Sequence, residues 1–114
     1  MGLILDTATQ PLQAVLSVPG SKSIANRALM CAALADGTST LQNIASGDDT
    51  AAMIDCLRAL HVEIIVEGTT VTIVGSAGRP NGGAELNARL AGTTSRFMTA
   101  LAALSVVPSL ITGD

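Results

Sequence analysis

Aromatic residues are almost absent from this chain of 114 residues: it has no Trp, no Tyr and a single Phe, at position 97. Charge is also scarce, at 13% of residues against a typical quarter, whereas hydrophobic residues reach 48%. Six basic side chains face nine acidic ones, giving a net charge of −3, and Lys22 is the only lysine. Without a basic stripe there is nothing to displace counterions, so a nucleic-acid partner is not expected. No apolar run approaches the ~20 residues that span a bilayer. Met1-Gly2-Leu3-Ile4-Leu5-Asp6 also lacks the basic start and long apolar stretch of a signal peptide, so no membrane partner and a cytoplasmic location are expected. Two cysteines, Cys31 and Cys56, and the lone His61 fall short of the three or four clustered ligands of a metal site. Neither a metal nor a cofactor is expected, and both thiols read as buried and reduced inside apolar helices. A chain of this length forms one domain with a modest core. So few charges cannot cover its surface, which predicts apolar faces that meet other protein.

The little charge that is present is concentrated. Residues 18–30 read Val-Pro-Gly-Ser-Lys-Ser-Ile-Ala-Asn-Arg-Ala-Leu-Met, placing a Pro-Gly turn, two serines, Lys22 and Arg27 around one helix start. A helix N-terminus offers unpaired N–H groups and a partial positive charge, and Lys22 and Arg27 add two full ones. At about 100° per residue, Lys22, Ser23, Asn26 and Arg27 share one polar arc, leaving Ile24, Ala28 and Cys31 on the side that can be buried. This pattern reads as a phosphate or carboxylate site. Read from the residues alone, the alternative is a helix cap with a solvated lysine, with Asn26 and Arg27 covering a surface helix.

Periodicity and turn signals give the rest of the layout. A strand over Leu12–Val18 stops at Pro19-Gly20, a helix follows from about Ser23 to Ala35, and Asp36-Gly37 ends it. A second strand covers Thr38–Ile44, and Asp48 and Asp49 open a helix to about Leu60 as cap and dipole partners. Val62–Val66 and Thr70–Val74 flank Glu67-Gly68-Thr69 as a hairpin. A turn-rich link over 75–83 leads to a short strand at Ala84–Asn87. A helix capped by Thr94 or Ser95 then runs to about Ser105, and a strand begins at Pro108–Thr112. Strands alternating with helices predict an α/β (α+β) layered unit rather than a sandwich.

Residues 19–64, with Pro-Gly-Ser-Lys-Ser, the Asn26-Arg27 pair, Asp48-Asp49 and later Ala91-Gly92-Thr93-Thr94-Ser95-Arg96-Phe97, closely resemble the start of the 5-enolpyruvylshikimate-3-phosphate synthases (3-phosphoshikimate 1-carboxyvinyltransferases). The resemblance runs from Leu12 to Asp114. It implies the enolpyruvyl transferase fold, built from βαβαββ units, with one unit over about 12–75 and an incomplete second over about 84–114. Members of the family are two-domain enzymes several times longer, so it also implies a partner: the remainder of the enzyme or a complementary chain.

In that family the enolpyruvyl group of phosphoenolpyruvate passes to the 5-hydroxyl of shikimate 3-phosphate and phosphate leaves, a step toward chorismate and the aromatic amino acids. The herbicide glyphosate competes there with phosphoenolpyruvate. The resemblance implies that Lys22 contacts both substrates, that Ser23 and Arg27 bind shikimate 3-phosphate, and that Gly92 lies against phosphoenolpyruvate. It adds Asp49, near Lys22, with Thr93 and Arg96 as further candidates. The family's main acid and base groups fall beyond this chain, so the isolated polypeptide is expected to be inactive. Leu90 stands where many members have Asn, so no polar contact carries over to it. Two other readings compete: a UDP-N-acetylglucosamine enolpyruvyl transferase, whose entry motif resembles Gly-Ala-Lys-Asn rather than Gly-Ser-Lys-Ser, and a non-catalytic anion-binding or assembly module.

Overall fold

The structure is a computed structural model and describes residues 2–114. In chain order its elements are α1 (Lys22–Leu34), β1 (Thr38–Leu41), α2 (Asp48–Ala59), β2 (Glu63–Glu67), β3 (Thr70–Val74), β4 (Glu85–Asn87), α3 (Gly92–Ala102) and β5 (Leu110–Thr112). This is a mixed α/β arrangement, as the alternation of the sequence predicts. β3 lies between β1 and β2, antiparallel to both, with Thr72 opposite Thr40 on one side and Ile65 on the other. β4 and β5 form a separate parallel pair, Leu86 opposite Ile111. β2 and β3 meet through Gly68 and Thr69, and Gly68 takes the positive φ of 61° that a tight hairpin loop demands at that position.

The core is aliphatic. Leu29 of α1, Met53 and Leu57 of α2, Met98 and Leu101 of α3 and Ile73 of β3 are all fully enclosed. Ile64 and Ile73 alternate with outward-facing neighbours on the pleated strands, so one sheet face meets the helices and the other does not. Burial of such side chains contributes about 1.5–3 kcal/mol each, the largest favourable effect in a fold with so few ion pairs.

The C-terminus of α1 shows how the sheet is fastened to the helices. Its last carbonyls have no intrahelical partners. The segment after β3 satisfies them: the amides of Ser76, Ala77 and Gly78 donate to the carbonyls of Ala33, Ala35 and Leu34, at 2.8, 2.9 and 2.8 Å. The Ser76 hydroxyl adds a bond to the Ala33 carbonyl at 2.8 Å. Gly75 permits the approach, because a Cβ there would overlap the carbonyl oxygens of Ala32 and Ala35.

Four expectations need correction. No strand forms over Leu12–Val18; the segment is irregular and exposed, with Val15 fully so, and it pairs with none of the described strands. The buried face of α1 is not Ile24, Ala28 and Cys31 but Ala25, Asn26, Leu29, Ala32 and Ala33, and Ile24 is 69% exposed. That stripe follows the i, i+4, i+7, i+8 spacing, and its small residues let α1 pack closely. Cys31 is accordingly exposed, whereas Cys56 is buried and donates to the Asn87 carbonyl at 3.4 Å. Finally, Thr94 and Ser95 lie within α3 rather than capping it; Ala91 occupies the cap position.

Burial, reinforced by the neighbouring Asp55 and opposed by Arg89, raises the pKa of the Cys56 thiol. One thiol of the two is therefore expected to react with a disulfide reagent at neutral pH, Cys31, and Cys56 only after unfolding; equal rates for both would contradict the packing. Gly75→Ala should destabilise the chain by about 1–3 kcal/mol in urea unfolding, since the atoms in the way are backbone and cannot turn aside.

Candidate functional site

Three helix N-termini carry the candidate residues. At α1, the Ser21 hydroxyl accepts from the Ile24 amide at 3.4 Å, a long cap bond that leaves the amides of Lys22 and Ser23 unpaired within the helix. Lys22 heads the same stripe as Asn26, Leu29 and Ala33, spaced i, i+4, i+7 and i+11, so it points along the buried side of α1 toward α2. There its Nζ meets Asp49 Oδ2 at 2.7 Å. The lysine side chain is 61% exposed, so ammonium donors remain available to a ligand. At that exposure the pair contributes no more than about 1 kcal/mol of stability, and its effect is to fix where the charge sits.

Asp48 and Asp49 lie in the first turn of α2, where their charges complement the helix dipole; the cap position itself is Gly47. Asp49 also binds through its backbone, its carbonyl accepting from the Thr94 hydroxyl at 3.2 Å. Thr94 is completely buried, so this bond ties the start of α3 to the start of α2. Sequence reasoning placed Thr94 as a cap and missed that role. The only signal was spacing: Thr94 stands four and seven residues before Met98 and Leu101, on the stripe that α3 buries.

Arg27 lies on another side of α1. Its Nη1 donates to the Ser23 carbonyl at 2.9 Å, which folds the guanidinium back toward the helix N-terminus. The Phe97 ring of α3 stands 5.7 Å from its central carbon. Asn26, expected on the same polar arc, is instead buried among the helices, its amide without a protein hydrogen-bond partner. Ser23 is exposed.

Gly92 is the first residue of α3 and is exposed. Its φ is not in the left-handed region, and a Cβ there would meet nothing within 4 Å. Neither backbone conformation nor packing requires glycine at this place. It borders a cavity of about 320 Å³ walled by Arg89, Leu90, Ser95 and the Gly113-Asp114 end of the chain. A neighbouring cavity of about 300 Å³ reaches Asp48 and Asp49. Arg89 stands at both cavities but is held by Asp55 at 2.6 Å, and sequence reasoning did not single it out. Leu90 is 83% exposed and offers only an apolar side chain. Arg96 is exposed and Thr93 half-buried, and neither has a side-chain hydrogen bond or ion pair among the described residues. Among the described residues no cluster of His, Cys, Asp or Glu forms a metal site, and no helix is long and apolar enough to cross a membrane.

This architecture recurs in solved structures. An EPSP synthase from Acinetobacter baumannii matches 87% of the chain with a TM-score of 0.81 at 29% identity, over 23% of its own length. That likeness defines an enolpyruvyl transferase fold. The family model for EPSP synthase (3-phosphoshikimate 1-carboxyvinyltransferase) matches residues 7–114, and the chain belongs to that family. It is 44% identical over 106 residues to the 3-phosphoshikimate 1-carboxyvinyltransferase of Rhizobium leguminosarum bv. trifolii, covering 92% of this chain and 25% of that protein. The enzyme of the same name from Geobacillus kaustophilus is 36% identical over 112 residues, covering 96% and 26%. The chain thus spans about a quarter of the length of the curated relatives it matches.

Replacing Thr94 by Val should cost about 1 kcal/mol in urea unfolding, with most of it regained by Thr94→Ser. Gly92→Ala should leave stability unchanged to within about 0.5 kcal/mol, because no described residue occupies the space beside it.

Proposed function

We propose that this chain forms one wall of the substrate cleft of a 3-phosphoshikimate 1-carboxyvinyltransferase, the enzyme that moves the enolpyruvyl group of phosphoenolpyruvate onto the 5-hydroxyl of shikimate 3-phosphate. The observation that carries this reading is the α1 N-terminus, where unpaired amides, Lys22 and a back-folded Arg27 gather two of the six basic side chains of the whole sequence at one helix start. Both substrates are anionic, and groups held in place before they arrive favour binding more than mobile ones. Lys22 serves as a point charge between the two substrates, while Ser23 and the planar fork of Arg27 take shikimate 3-phosphate. Asp49 orients Lys22. Gly92, with open space beside it and no structural demand for glycine, leaves room for phosphoenolpyruvate. Thr93 and Arg96, both without side-chain partners among the described residues, are further contacts.

Residues of about 12–75 supply the first βαβαββ unit and about 84–114 the opening of a second, completed by the remainder of the enzyme or by a complementary chain. The exposed apolar residues of the segment before α1, such as Leu12, Leu16 and Val18, are consistent with such a completion. With a single wall, developing charge stays open to water and stabilisation of the transition state is lost, so the isolated chain is inactive. The cytoplasm is the expected location.

Amide NMR of the chain titrated with shikimate 3-phosphate tests the reading. Shifts centred on residues 21–27, abolished by Lys22→Ala, are expected; shifts scattered over the surface, or unchanged in the variant, would contradict it. In an enzyme completed with the missing segments, Lys22→Ala should lower kcat/KM by at least about 100-fold, a loss of ~3 kcal/mol of transition-state stabilisation.

A further inference from the structure

The one aromatic ring of the protein is not in the core. Phe97 is half-buried, and its ring lies 5.7 Å from the guanidinium carbon of Arg27, across the gap between α3 and α1. The enclosed core is built from Leu, Ile, Val, Met, Ala and Cys without a ring, and Phe97 packs only against its edge. A ring differs from those side chains in its face, which carries the negative part of a quadrupole and attracts a planar cation. From this placement we infer that Phe97 is a positioning residue: it holds the Arg27 guanidinium toward the α1 N-terminus, ready for an anionic group of the substrate. The inference rests on the reading of Arg27 as a substrate contact.

The geometry restrains the guanidinium from two sides. Nη1 donates to the Ser23 carbonyl at 2.9 Å, and Phe97 stands against the group from α3. Arg27 has no ion pair among the described residues, so no carboxylate competes for it. Of its five N–H donors one is used, and the others stay free for phosphate or carboxylate oxygens. Arg27, Met30 and Cys31 follow one side of α1 and, with Phe97, line an almost wholly apolar slot of about 270 Å³. That slot offers the arginine stem apolar walls while the head stays at the polar end. An unrestrained arginine surrenders considerable side-chain entropy when it binds; one already held against a ring surrenders less.

The test uses the full chain with native Phe97, Phe97→Leu, Phe97→Met and Phe97→Tyr, following the Arg27 Nε–Hε resonance by NMR, assigned with Arg27→Lys. Shikimate 3-phosphate is then titrated into each. In Phe97→Leu the Arg27 resonance should move as the ring current disappears, and half-saturation should rise by about two- to fivefold. Phe97→Tyr, which keeps the ring face, should keep both near native values, whereas Phe97→Met, apolar and of similar length without a ring, should behave as Phe97→Leu does. An Arg27 resonance unmoved in Phe97→Leu overturns the proposal. So does a native-like affinity in that variant when Arg27→Lys binds more weakly. Native chain that binds no shikimate 3-phosphate overturns the cleft reading itself and this proposal with it, which separates the two failures.

Discussion

Asp49 links the three helix starts of the candidate site. Its carboxylate holds Lys22 of α1 at 2.7 Å, and its backbone carbonyl takes the Thr94 hydroxyl of α3 at 3.2 Å. One residue in the first turn of α2 therefore sets the spacing of three helix starts. Neither bond is strong: an exposed ion pair and one neutral hydrogen bond contribute about 1 kcal/mol each. Their importance is geometric. The aliphatic core supplies the stability, and these two contacts decide how the charged ends are arranged.

The division of labour runs along the helices. At their C-terminal side, α1 is capped by the 75–78 segment and packed against β3, with Gly75 admitting the backbone. At their N-terminal side the groups are polar, partly exposed and, for Lys22 and Arg27, still rich in unused donors. A site for doubly anionic ligands needs that asymmetry: rigid support at one end and exposed, oriented charge at the other. The small stripe of Ala25, Leu29, Ala32 and Ala33 links the two ends, since it sets the rotation of α1 that aims Lys22 at α2 and leaves Arg27 beside α3.

Much of this was legible in the sequence, and the failures have physical causes. The β2–β3 hairpin and α2 follow from alternation around Gly68 and from an apolar stripe with Asp48 and Asp49 at its start. The Lys22 motif was visible because charge is so rare in the chain. The rotation of α1 was not legible, because nearly every position in it is small or apolar and hydropathy cannot choose among such faces. Asn26 was read as solvated and is buried, whereas Ile24 was read as buried and is exposed. Leu12–Val18 has side chains that suit a strand but pairs with no described strand, and a strand is a property of two segments. Thr94 and Phe97 were missed or left unassigned because their partners, Asp49 and Arg27, are remote in sequence.

The chain, which spans about a quarter of the length of its curated relatives, brings its three helix starts together through its own core and the Asp49 contacts. Native-state amide hydrogen exchange on the chain tests this most directly. Amides in the interior of α1, α2 and α3, including Leu29, Met53 and Met98, should share one protected, cooperative opening, while residues 2–18 exchange at once. Protection that is absent throughout, or that differs from helix to helix with no common opening, would contradict this and assign the arrangement of the helix starts to contacts from outside the chain.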